Sequence, residues 1–257
     1  MSRVSRVSGR VWAGLEDAAH RRGTAHIVLV DPDRTNATRA RDLARECAEA
    51  GVDALLFGSS TPFERDPAPV LEALRAGAPD LPVIQFPGSA AQLRPDVDAT
   101  FFLSLLSGRD PRFLIEEQVK GAPLLLEWGV EAVAVGYLLV GPRAGLSVER
   151  VTGTTPLPTE PVDAVVRHAQ AAACLGMAAI YLEAGSGAAA PVPAPLVHAV
   201  ARAVPISVIV GGGIRHPADA AALAAAGSRF LVTGSIHEAG APVRPFTDSI
   251  HGAAALV

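Results

Sequence analysis

The chain has 257 residues, a formal net charge of −4 and 49% hydrophobic content, with a positive mean hydropathy of +0.31. One (β/α)8 barrel has this length, although two small domains also fit. The apolar content supports a large core rather than a disordered chain, and the acidic balance argues against nucleic acid, which calls for a basic surface.

The start, Met1-Ser2-Arg3-Val4-Ser5-Arg6, is basic, and Arg10, Glu16 and Asp17 interrupt any apolar region of a signal peptide. No membrane-spanning run is found, so a cytoplasmic protein is expected. Residues 1–24 are expected to form a helical extension packed on one domain that fills residues 1–257. From His26 onward, short apolar runs alternate with helical patterns. The first strand is predicted over His26 to Asp31 and its helix over Thr38 to Ala50. Asp53 to Gly58 is followed by a helix over Pro67 to Ala76. Pro82 to Phe86 is followed only by the short, poorly helical stretch Pro87 to Ala99, so the third helix is expected to be reduced or missing. Thr100 to Leu106 precedes a helix over Pro111 to Gly129. Ala132 to Val140 precedes a long loop, Gly141 to Pro158, rich in Gly, Pro, Ser and Thr and a candidate lid. A helix over Pro161 to Leu175 leads to Ala178 to Glu183; a helix over Ala194 to Ala203 leads to Ile206 to Val210. A helix from Pro217 to about Ala226 leads to Phe230 to Thr233. Several strands are continuous apolar runs, as strands buried on both faces are. Gly51, Gly77, Gly129 and Gly176 stand where helix C-caps are expected. The pattern predicts a single α/β TIM (β/α)8 barrel; a doubly wound sheet is the alternative.

Two strand–glycine-loop units end the chain, Ile209-Val210-Gly211-Gly212-Gly213-Ile214-Arg215 and Leu231-Val232-Thr233-Gly234-Ser235. The last two loops of a TIM barrel often build a phosphate site, because glycine lets backbone N–H groups approach phosphate oxygens. The bland alternative is a pair of tight turns. Other strand ends carry polar groups. Asp31 and the Ser60 hydroxyl suit a hard cation such as Mg²⁺, although Asp31-Pro32-Asp33 is also turn chemistry. Glu183, beside the flexible Gly185-Ser186-Gly187, has the place of a general base toward a substrate hydroxyl; an internal salt bridge is the alternative. The seven histidines show no ligand spacing and read as surface or packing residues. Cys47 and Cys174 lie in helical patterns without motif spacing and read as packing residues.

The string Tyr181-Leu182-Glu183-Ala184-Gly185-Ser186-Gly187 resembles the glycerol-phosphate loop of the geranylgeranylglyceryl phosphate synthase family, which includes the bacterial heptaprenylglyceryl phosphate synthases. Val30 to Arg34, Ser104 to Pro111, Gly136 to Val140, Val210 to Arg215 and Val232 to Ser235 agree in order and position. The resemblance implies a Mg²⁺-dependent transfer of a polyprenyl group from its diphosphate to the hydroxyl of sn-glycerol 1-phosphate. It implies metal ligands at Asp31 and Ser60, and the acceptor phosphate on Gly212, Gly213, Gly234 and Ser235. The glycerol would lie along Tyr181 to Gly187, with Tyr181 and Glu183 catalytic and Glu183 the base. An Arg such as Arg34 or Arg109 would assist the leaving group. The expected partners are a prenyl diphosphate, a phosphorylated three-carbon acceptor and a second copy of the chain in a dimer, with transient membrane contact for product release. The chain departs from the family pattern at Ser59, Arg34, Ser107 and Leu29. The runner-up acceptor is 3-phosphoglycerate, farnesylated by the moenomycin-pathway branch. Rivals of another class are an isomerase-type barrel and a non-catalytic phosphate-binding barrel.

Overall fold

The computed structural model describes residues 9–253. The basic stretch at residues 1–6, and the first eight residues of the expected extension, lie outside the described residues. Helix α1 (Arg10–Arg22) precedes eight strands: β1 (Ala25–Val30), β2 (Ala54–Phe57), β3 (Val83–Gln85), β4 (Ala99–Leu105), β5 (Glu131–Leu139), β6 (Ala179–Glu183), β7 (Ser207–Gly211) and β8 (Phe230–Thr233). They are parallel and close into a barrel in sequence order. Ala25 of β1 pairs with Phe230 of β8 to complete the ring. The eight predicted strands are all present.

Because strand side chains alternate, each run feeds two cores. Ile27, Leu56, Ile84, Phe101, Val135, Tyr181, Ile209 and Phe230 point inward and fill the barrel. Val28, Val30, Leu55 and Phe57 point outward against the helices, as do Leu182 and Val210. Trp12 of α1 closes the bottom, 4.8 Å from Phe230 and 6.3 Å from Phe101 between ring centroids. The Glu131 carboxylate accepts the Val11 and Trp12 N–H groups, satisfying two donors that a helix start leaves free.

The outer layer contains α2 (Ala37–Ala50), α3 (Ala68–Gly77), α4 (Glu117–Trp128), α5 (Ser147–Thr152), α6 (Asp163–Cys174), α7 (Ala194–Ala203), α8 (Pro217–Ala225), α9 (Ser235–Glu238) and α10 (Arg244–Ala253). After β3 there is only a 3-10 turn, Ala90–Gln92, so the reduced third helix is as predicted. Several expectations are corrected. Gly77 does not cap α3. It lies within the last turn, where a Cβ would strike the Arg41 carbonyl of α2, and Ala78 is the cap; close helix packing, not a left-handed turn, requires the glycine. The helix expected from Pro111 opens with a π-helical turn, Arg112–Glu116. The Gly141 to Pro158 loop is not structureless: it contains α5, and Leu157 bridges back to Val140. Neither α9 nor α10 has a counterpart in the predicted elements. Among the described residues, no helix is long and apolar enough to cross a membrane.

Candidate active site

The period of two that builds the core also decides what enters the barrel mouth. Tyr181 and Glu183 follow Ala179 on the inward side of β6. Glu183 pairs in register with Gly211 of β7, and a Cβ on Gly211 would strike the Tyr181 hydroxyl. The small residue makes room for the ring. Tyr181 then stacks on Phe86 at 5.4 Å and packs on Tyr137 at 5.3 Å between centroids. Tyr137 is its register partner on β5.

Glu183 is 6% exposed. Its Oε1 accepts the Gly185 N–H at 2.6 Å, and the Tyr181 hydroxyl donates to the same carboxyl. The salt-bridge alternative is not what the geometry shows. Burial pushes the Glu183 carboxyl up to about 7, outweighing the two hydrogen bonds that favour its charged form. Burial, then the Glu183 charge, raises both the Tyr137 and Tyr181 phenols, so both stay protonated. A carboxyl titrating near neutrality beside a cleft is how a general base is tuned.

The glycine loops close over this carboxyl. Gly212 has φ +78, in the left-handed region that glycine enters without strain. A Cβ there would strike Glu183 Oε1 and come within 2.7 Å of the Gly185 nitrogen. A Cβ on Gly213 would strike the Ala190 carbonyl. Arg215 ties the two loops together, donating to the Ala188 carbonyl at 3.2 Å and the Gly187 carbonyl at 3.3 Å. Gly185 lies against Leu146, at the start of α5, so the lid segment rests on the same loop. Ser186 is exposed at the loop tip. Leu182 points away from the mouth into the barrel–helix core, and Ala184 packs against that core. Gly234 abuts Leu29 of β1, with Ser235 opening α9.

Asp31 tops β1. Its Oδ1 accepts the Asp33 N–H at 3.0 Å, the turn role of an Asp-Pro-Asp segment, while Oδ2 lies 3.7 Å from Arg34. Burial raises its carboxyl, opposed by the Asp33 N–H, the Ser59 hydroxyl and Arg34. The Ser59 hydroxyl, 3.2 Å from that of Thr61, favours the charged form of Asp31, and Ser59 and Ser60 both line the adjoining cleft. Glu238 of α9 accepts the Asp31 N–H at 3.1 Å and lies 3.9 Å from Arg34. Among the described residues no group of three His, Cys, Asp or Glu side chains is placed to hold a metal ion. The donor set is the Asp31 carboxylate, with that of Glu238 beside it, and neighbouring hydroxyls. That fits Mg²⁺ of the kind held by one or two carboxylates, with substrate phosphates and water completing the shell. Arg109 donates to the Gly108 carbonyl at 2.7 Å.

An apolar cleft opens where the third helix is missing. It runs from Ser59 and Ser60 past Phe86, Leu93, Leu103 and Phe113 to Val148 and Val151 of α5, and Tyr137 lines it too. Phe86 and Tyr137 therefore touch both the cleft and Tyr181. The sequence reading did not single out Tyr137, Phe86 or Glu238. The inward period of β5 is a signal that reaches Tyr137. Nothing local marks Glu238, whose role depends on how α9 returns to β1.

The PcrB family profile matches residues 17–247. The geranylgeranylglyceryl phosphate synthase of Methanopyrus kandleri is 42% identical over 217 residues, 84% of this chain and 90% of that protein. That of Methanothrix thermoacetophila is 41% identical, covering 90% of this chain and 91% of that one. The crystal structure of (S)-3-O-geranylgeranylglyceryl phosphate synthase from Thermoplasma acidophilum, in complex with its substrate sn-glycerol-1-phosphate, superposes with a TM-score of 0.86. It is 34% identical and covers 95% of this chain and 98% of its own.

Proposed function

The chain belongs to the PcrB family, and from that premise we propose that it moves a polyprenyl group from its diphosphate to the free hydroxyl of sn-glycerol 1-phosphate, forming an ether. One observation carries this reading. A buried carboxyl tuned to about 7 sits beneath two glycine loops and is joined, through the Tyr181–Phe86–Tyr137 stack, to an apolar cleft. An acceptor that is small and phosphorylated and a donor that is long and apolar meet at that junction.

In the proposed reaction the allylic carbon–oxygen bond breaks and its electron pair leaves with the diphosphate. The acceptor oxygen forms the new bond to that carbon, and its proton passes to Glu183. Tyr181 holds the Glu183 carboxyl by its hydroxyl hydrogen bond. Phe86 and Tyr137, which line the cleft, would stabilise positive charge developing beside them. Backbone N–H groups of Gly212, Gly213, Gly234 and Ser235 hold the acceptor phosphate. The tail occupies the cleft along Leu93, Leu103 and Phe113. Asp31, with Ser59 and Ser60 beside it, would hold Mg²⁺, which when bound neutralises the leaving diphosphate as a Lewis acid. Arg34, paired with Asp31, adds positive charge on the same side. The reading extends to a cytoplasmic homodimer that touches a membrane to release its lipid product. The exposed Ile115, Val119 and Leu126, on the segment walling the cleft, support that contact.

Gly212→Val tests the cradle. The added side chain strains a left-handed backbone and strikes Glu183 and Gly185. Acceptor affinity is expected to fall by at least roughly tenfold, the scale of one lost hydrogen bond to a charged group, with prenyl diphosphate affinity retained. Calorimetric titration of each substrate into the folded variant reads both. Unchanged acceptor affinity places the phosphate elsewhere.

A further inference from the structure

Behind the Gly234–Ser235 loop runs a line of buried polar groups that the transfer reaction does not use. Thr247 Oγ1 of α10 lies 2.9 Å from His26 Nδ1. His26 Nε2 lies 2.7 Å from Thr233 Oγ1, at the end of β8. Thr233 Oγ1 lies 2.9 Å from His237 Nε2 of α9, and His237 Nδ1 lies 3.0 Å from the Ala241 carbonyl. All four side chains are buried. Strand alternation explains why: His26 and Thr233 are on the outward faces of β1 and β8, toward α10.

The end of the line fixes the proton order. A carbonyl only accepts, so His237 Nδ1 carries a hydrogen, and the Nε2 of its neutral ring accepts from the Thr233 hydroxyl. Thr233 Oγ1 then accepts from His26 Nε2–H, and His26 Nδ1 accepts from the Thr247 hydroxyl at 2.9 Å, a shorter contact than the 3.4 Å from that hydroxyl to the Val243 carbonyl. Every member is satisfied once, in one direction, with the two rings in opposite tautomers. Burial lowers the basicity of both rings and keeps them neutral.

We propose that this chain of hydrogen bonds positions the acceptor-phosphate loop, making His26, Thr233 and His237 positioning residues of the transfer reaction. The inference rests on the reading that the acceptor phosphate sits on Gly234 and Ser235. Thr233 and His237 bracket those two residues, and the chain anchors both brackets to β1 and α10. The loop is further tied by the His237 N–H to the Gly234 carbonyl at 2.8 Å, by Arg39 to the His237 carbonyl at 2.9 Å and by the Glu238 carboxylate, which accepts the Asp31 N–H at 3.1 Å. Loosening the chain leaves Glu183 and the cleft untouched and frees the donors that meet the phosphate.

Thr233→Val removes one hydroxyl at nearly constant shape, and Thr233→Ser keeps it. The valine variant is expected to raise KM and Kd for sn-glycerol 1-phosphate roughly tenfold or more, the scale of one buried hydrogen bond. Its kcat and its KM for prenyl diphosphate should hold, and the serine variant should restore the wild-type values. A merely structural role would lower thermal stability without this split. Unchanged acceptor constants in the valine variant, an equal rise for both substrates, or no rescue by serine overturns the proposal. Histidine ¹⁵N shifts of the wild-type protein test the chain without any variant. They are expected to report Nδ1–H on His237 and Nε2–H on His26 at neutral pH; a charged ring, or the same tautomer in both, overturns it. Wild-type protein that does not bind sn-glycerol 1-phosphate overturns the acceptor reading and this role together. Wild-type binding with unaltered variants overturns the positioning role alone.

Discussion

Glu183→Gln is expected to cut turnover by ~10²–10⁴-fold, the usual contribution of a general base, with little change in acceptor affinity. Glutamine keeps the size and can still accept the Gly185 N–H, but it takes no proton. The same carboxyl sets the pH profile. The base form is present above its pKa of about 7, so wild-type kcat/KM should fall about tenfold per pH unit below that point, and the variant's residual rate should lose this limb. Stability carries the opposite sign. The folded pKa is raised above the ordinary 4.5, so the native state holds the proton more tightly than the unfolded chain. The stabilisation is full below the unfolded value and is lost as pH rises toward 7. Above that, Glu183→Gln should be more stable than wild type, by on the order of 3 kcal/mol for a shift of this size. Thermal unfolding at pH 5 and pH 8 reads the difference. A variant that transfers prenyl at the wild-type rate removes Glu183 as base. Equal pH dependence of unfolding in both proteins removes the raised carboxyl.

Asp31→Asn should reduce turnover on the order of 10³-fold or more, because charge stabilisation at a leaving diphosphate through a bound cation is worth several kcal/mol. The fold should survive, since asparagine also accepts the Asp33 N–H that Asp31 Oδ1 now accepts. Prenyl diphosphate binding should lose its dependence on Mg²⁺ in a titration at fixed pH. Near-normal turnover in the folded variant, or Mg²⁺ dependence unaltered, takes the role away from Asp31.

These effects trace to features of unequal legibility. The eight strands were readable because they are short apolar runs, several of them continuous as strands buried on both faces are, set between helical patterns. Glu183 was readable because it ends such a run two residues after Tyr181, so both side chains share the inward face. The reduced third helix was readable because Pro87 to Ala99 has no helical period. Three other features are set by long-range geometry. The influence of the Ser59 hydroxyl on Asp31 depends on the loop after β2, where Gly58 abuts the Phe86 carbonyl. Glu238 reaches the Asp31 N–H across the β1–β8 seam, 207 residues away in sequence. α5 interrupts a segment whose Gly and Pro content reads as loop. Its start is held by the Glu149 carboxylate, which accepts the Ala144 and Leu146 N–H groups. The histidines show no ligand spacing and read as surface or packing residues, and the chain that joins His26 and His237 through Thr233 exists only once β1, β8 and α10 meet.

In the proposed reaction the cleft and the glycine-loop cradle join a prenyl chain to a phosphorylated glycerol at Glu183. Product analysis by mass spectrometry tests it most directly. The protein is incubated with Mg²⁺ and a series of prenyl diphosphates, together with sn-glycerol 1-phosphate, its enantiomer or 3-phosphoglycerate. The expected product is the ether of sn-glycerol 1-phosphate with release of diphosphate, and 3-phosphoglycerate is expected to be a poor acceptor because its carboxylate would approach the buried Glu183 charge. Ether formed only from 3-phosphoglycerate would contradict the acceptor assignment, and no prenylated product from any pair would contradict the transferase itself.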